Sequence, residues 1–95
     1  MACPPVVFNN VDANAWACLK QKATAYAQKN NYPLPPLNDT GSASHMGFSA
    51  AYVYDAASAT LTITCTGHPF FFSCDMINGH VQGGIAGTGC IPGLN

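Results

Sequence analysis

A chain of 95 residues, 48% of them hydrophobic, is one domain with enough apolar side chain to bury roughly 60–65% of its unfolded surface. Only 7% of it is charged, with three lysines, four aspartates and a net charge of −1, so it lacks the basic surface by which nucleic-acid binders neutralise phosphates. So little charge also leaves weak electrostatic protection against self-association.

In chain order, Pro4 to Asn10 reads as a short edge strand carrying Val6, Val7 and Phe8. Asp12 or Asn14 then caps a first helix, with Trp16, Leu19, Ala23, Tyr26 and Ala27 lining one face and the three lysines falling elsewhere. Asn30-Asn31 and Pro33 end it, because the residue before a proline is pushed out of the helical region. Residues 33–45 form a Pro/Ser/Gly-rich connector, extended over Pro33, Pro35 and Pro36 and a flexible loop from Asn38 to Ser44.

From Gly47 the pattern turns to strand, with Phe48, Ala50, Tyr52 and Tyr54 on one side and Ser49, Ala51 and Val53 on the other. Asp55 to Ser58 makes a turn, and Thr60 to Thr66 returns antiparallel. Its threonines share one face; Leu61, Ile63 and Cys65 share the other.

Pro69 breaks that strand and an aromatic corner follows, Phe70-Phe71-Phe72. Ser73 caps a second helix, with Asp75 at the positive end of its dipole. Ile77, Val81 and Ile85 form one stripe, and Gly79, Gly83 and Gly87 form a second about 200° away. With Gly84, these glycines cost about 3–4 kcal/mol of helix propensity, so the helix needs tertiary support. Gly89 to Asn95 reads as an irregular tail.

The expected fold is a small α+β domain spanning residues 1–95, ordered helix, antiparallel β-hairpin, helix, with the N-terminal edge strand as a possible addition. Both helices cover one face, burying Trp16, Leu19, Tyr26, Leu61, Ile63, Ile77, Val81 and Ile85. A two-stranded sheet is marginal alone, which points to a homo-oligomer.

The five cysteines, Cys3, Cys18, Cys65, Cys74 and Cys90, are many for this length and odd in number. In an oxidising compartment they give two disulfides and one remaining thiol, a pattern that favours a secreted or extracytoplasmic setting. The spacing leaves the pairing open. The chain's first residues carry no signal-peptide pattern, and no apolar run reaches the length of a transmembrane helix.

Cys74, first in the second helix after its Ser cap, is where a thiol would be acidified, and His68 and His80 are near in sequence. No acid or amide identifies itself as an orienting third group, and cysteines in such positions are more often buried or bridged, so no catalytic residue is assigned. Cys65, His68, Cys74 and His80 have zinc-binding chemistry, but only the Cys65-x-x-His68 spacing is short, and Cys65 sits on the core face of its strand. Neither metal nor cofactor is therefore expected.

Pro33 to Leu37 has PxxP register without a flanking arginine and reads as a stiff connector. Asn38-Asp39-Thr40 matches a glycosylation acceptor. Walker, HExxH and Gly-x-Ser-x-Gly signatures are missing.

The functional expectation is a non-enzymatic interaction or assembly protein. It would associate with itself or a protein partner through a sheet edge, the corner Phe70, Phe71 and Phe72, or the glycine face Gly79, Gly83 and Gly87. The alternative is a small thiol- or metal-dependent enzyme or redox protein centred on Cys74 with His68 and His80.

Overall fold

The computed structural model describes residues 3–31, 37–45 and 47–91. The elements run β1 (Val6–Phe8), α1 (Ala13–Lys29), β2 (Thr40–His45), β3 (Phe48–Asp55), β4 (Thr60–Gly67) and α2 (Cys74–Gly87). The chain is an α+β fold in which the strands form one antiparallel sheet of order β1-β4-β3-β2.

The edge strand expected at the N-terminus is β1, paired with β4 through Val6 opposite Ile63 and Phe8 opposite Leu61. The expected two-stranded hairpin, β3 and β4, is therefore the centre of a four-stranded sheet rather than the whole of it. The other addition is β2, which occupies the second half of the connector expected to be a flexible loop. Its sequence, Thr-Gly-Ser-Ala-Ser-His, carries no apolar alternation; six consecutive pairings with β3, from Thr40 opposite Val53 to His45 opposite Phe48, make it a strand. Gly41 leaves room there for the Tyr52 ring: a Cβ at this position would meet the Tyr52 hydroxyl at 2.7 Å, so a larger residue must push that side chain aside. Gly47, at φ 87°, turns the chain from β2 into β3 in a conformation that side-chain-bearing residues rarely adopt. The proline-rich first half of the connector lies outside the described residues.

Both helices cover the face of the sheet that presents Tyr52, Tyr54, Leu61 and Ile63, and the opposite face exposes Val7, Val53 and Thr66. Asp12 caps α1, its carboxylate accepting from the Ala15 amide at 2.8 Å. The helix buries Ala15, Trp16, Leu19 and Ala27. Trp16 stacks on Tyr54 with ring centroids 5.0 Å apart, and its Nε1–H donates to Asp39 at 3.1 Å. The Asp39 carbonyl in turn accepts from the Tyr54 amide at 2.7 Å, so one residue ties α1 to the start of β2 and to β3. Tyr26, expected in the core, is 60% exposed, while its neighbour Ala27 is 4% exposed: in the last turns of α1 the covered side is the one that carries Ala27.

The second helix departs most from expectation. Val81 and Ile85 do pack against the core, yet they and Ile77 are only partly buried, and no residue of α2 is fully buried. What holds it is at its ends. The Cys3–Cys74 disulfide ties its first turn to the segment before β1, and Cys18–Cys90 ties the residues after it to α1. Asn78 adds a hydrogen bond from its amide to the Pro4 carbonyl at 3.0 Å. The expected irregular tail supplies Cys90 and Ile91 to the core, both buried; residues 92–95 lie outside the described ones.

Candidate functional site

The chemistry-bearing residues gather where β4 hands over to α2. His68 and Pro69 leave the strand, and Phe72 closes a turn by donating its amide to the Pro69 carbonyl at 3.1 Å. Ser73 caps α2, its hydroxyl accepting from the Met76 amide at 3.2 Å, and Cys74 is the first helical residue. The three aromatic rings divide their work. Phe72 is half-buried, edge-on to Phe48 at 5.2 Å, and fixes the corner to β3. Phe71 lies tilted 4.9 Å from it and Phe70 stands edge-on to Phe71 at 5.5 Å, so the three rings touch in series. Phe70 is 95% exposed and Phe71 67% exposed, and Met76, on the first turn of α2, is 50% exposed. An apolar knob this exposed, held on a turn between a strand and a disulfide-anchored helix, is uncommon on a monomer surface.

Below the knob, the Cys74 sulfur is bonded to that of Cys3, and the His68 Nε2 lies 3.8 Å from Cys74 Sγ. Sequence proximity of His68 to Cys74 thus becomes contact, whereas the exposed His80 lines a groove between α1 and α2. Cys65 is buried on the core face of β4, as its alternation requires, and keeps a free thiol that donates to the Gly67 carbonyl at 3.3 Å. Cys65, His68, Cys74 and His80, whose chemistry suits zinc, therefore do not assemble as one donor set. A different one does: Cys3, His68 and Cys74 place one ligand atom each within 4.8 Å of one another. Cys3 escaped sequence reasoning because 71 residues separate it from Cys74, and only the pairing of β1 with β4 brings it there. In the bridged state Cys74 has no thiolate, so the position suited to a nucleophile holds a half-cystine.

The glycine face is open. A Cβ built on Gly79, Gly83, Gly84 or Gly87 meets nothing within 4 Å among the described residues, so no close approach among them requires these glycines. Gly83 and Gly84 floor the groove to which His80 contributes, about 880 Å³ and walled by Leu19, Ala23, Ala27 and Ile85. A second apolar pocket of about 190 Å³ lies among Trp16, Ala50, Tyr52 and Ile63, beside the small residues Ala43 of β2 and Ala50 and Ala51 of β3. No helix among the described residues is long and apolar enough to cross a membrane. Comparison with models of known families, with curated proteins and with solved structures finds no match to this chain.

Proposed function

We infer that this is a small, disulfide-stabilised, non-enzymatic interaction protein that associates with a second copy of itself through the aromatic corner. The observation that carries the reading is the exposed Phe70–Phe71 corner, with the exposed Met76 on the helix that follows it, apolar surface that the described residues leave uncovered. Three further features support it. The groove between α1 and α2 is lined by Leu19, Ala23, Ile85 and glycines, with Lys22, Tyr26 and His80 also on its walls, and at about 880 Å³ has room for aromatic rings, so two copies related by a two-fold axis can each seat a knob in the other's groove. A net charge of −1 on 95 residues offers little repulsion between copies. Glycines that disfavour the helix and serve no close contact among the described residues find a use if a partner lies against them. The four-stranded sheet, with one face covered, removes a different reason for assembly: the domain does not need a partner to complete a marginal hairpin. Two disulfides are compatible with an oxidising, extracellular setting, and secretion is proposed on that ground.

Sedimentation velocity and light scattering test this across micromolar concentrations. The wild-type chain is expected to dimerise, and Phe70→Ser/Phe71→Ser to be monomeric with an unchanged melting temperature. Gly83→Ala separates groove from knob: it raises the melting temperature of the monomer, since nothing obstructs its methyl group, and weakens the dimer. A wild-type chain that stays monomeric at 100-fold the working concentration overturns the reading.

A further inference from the structure

We propose that Cys3, Cys74 and His68 are the ligands of a zinc site that the chain forms when the Cys3–Cys74 bridge is reduced. The donors are a set that zinc favours, two thiolates and an imidazole, with the fourth position left to water. Their geometry fits. With Zn–S near 2.3 Å and Zn–N near 2.05 Å, a tetrahedral site has an S···N edge of about 3.6 Å and an S···S edge of about 3.8 Å. His68 Nε2 already lies 3.8 Å from Cys74 Sγ. The two sulfurs must separate by about 1.7 Å from bonding distance, which side-chain rotation supplies while the Cα atoms stay 5.4 Å apart.

A second, independent observation orients the imidazole. His68 Nδ1 lies 2.9 Å from the Pro69 carbonyl, which only accepts, so Nδ1 carries the proton and Nε2 presents its lone pair toward the sulfurs. A histidine that ligates a metal through one nitrogen and donates the other N–H to a backbone carbonyl is the usual arrangement around zinc. The ligands come from three separate positions: the segment before β1, the residue after β4, and the first turn of α2. A metal there ties α2 to the sheet as the disulfide does, so the helix keeps its N-terminal anchor in either redox state.

The exchange balances. A dithiol reductant gives two electrons and two protons to the Cys3–Cys74 bond and becomes a disulfide itself. Zn²⁺ then displaces one proton from each thiol to solvent, forming two Zn–S bonds and one Zn–N bond. Two thiolates neutralise the ion, so the half-buried site gains no net charge.

The test uses the full chain, reduced with a phosphine under anaerobic conditions and titrated with Co²⁺ as a spectroscopic stand-in. One equivalent is expected to give the intense visible bands of tetrahedral cobalt with thiolate charge transfer, displaced by Zn²⁺. The oxidised chain gives none. Cys3→Ser should abolish the signal, and His68→Ala should weaken binding by about tenfold or more. Because reduction also opens Cys18–Cys90, alkylation mapped by mass spectrometry provides a readout that survives partial unfolding. Zn²⁺ is expected to protect Cys3 and Cys74 and to leave Cys18 and Cys90 reactive. Equal protection of all cysteines, protection of none, or cobalt binding indifferent to His68→Ala overturns the proposal.

Discussion

Replacing the second bridge, Cys18→Ala/Cys90→Ala, tests whether α2 is held by its covalent ends rather than by its packing. Alone, a bridge spanning 72 residues restricts the unfolded chain by about 4.4 kcal/mol in the loop-closure model. With Cys3–Cys74 in place the loop is shorter. The covalent path from Cys18 to Cys90 then runs back to Cys3, across that bridge and on from Cys74, about 31 residues, and the restriction becomes about 3.7 kcal/mol. Alanine is the right replacement, since Cys90 is 9% exposed and a hydroxyl there would be buried among apolar neighbours. Urea unfolding should therefore show a loss of about 3–4 kcal/mol, a large part of the 5–15 kcal/mol typical of a domain. Amide exchange should localise the loosening. The C-terminal half of α2, with no fully buried side chain and three glycines, should exchange well before β4. A loss below about 1 kcal/mol, with α2 still as protected as β4, would refute the reasoning and assign the helix to the contacts of Val81 and Ile85.

Trp16→Ala should destabilise by about 3–5 kcal/mol, because the ring is 7% exposed and stacked on Tyr54; Trp16→Phe, which keeps the stack and loses the bond to Asp39, should lose about 1–2 kcal/mol by the same urea assay. The Tyr54 phenol is raised above its ordinary value of 10.0 by burial first and then by Asp12, Asp39 and Asp55, and its O–H donates to the Val11 carbonyl at 2.9 Å. Folding favours the neutral phenol, so its contribution is complete below pH 10 and is lost as pH rises through the higher folded value; alkaline unfolding followed by tyrosinate absorbance should lose this step in Tyr54→Phe. Ala59 sits at φ 53° in the β3–β4 turn, so Ala59→Gly should leave stability unchanged or raise it by up to about 1 kcal/mol, while the β-branched Ala59→Val should lower the melting temperature.

Local chemistry is what the sequence carried legibly. Asp12 and Ser73 cap the two helices because a short oxygen-bearing side chain before an apolar period satisfies free amides wherever it stands. The alternation from Thr60 to Thr66 places Leu61 and Cys65 in the core because side chains on a strand must alternate faces. Trp16 and Leu19 are buried for the equivalent reason on a helix. An odd count of cysteines implied two bridges and one thiol, and Cys65 is that thiol. Tertiary structure decided what depends on residues far apart in the chain. The segment from Thr40 to His45 has no strand pattern of its own and becomes one because β3 offers it a ladder of unpaired backbone groups. The helical wheel places Tyr26 with Leu19, but which side of the last turns is covered is set by tertiary packing, and there it is Ala27 that is buried. The Cys3–His68–Cys74 cluster was illegible for the same reason: sequence spacing shows neighbours along the chain, and Cys3 becomes a neighbour of Cys74 only after β1 has closed the sheet against β4.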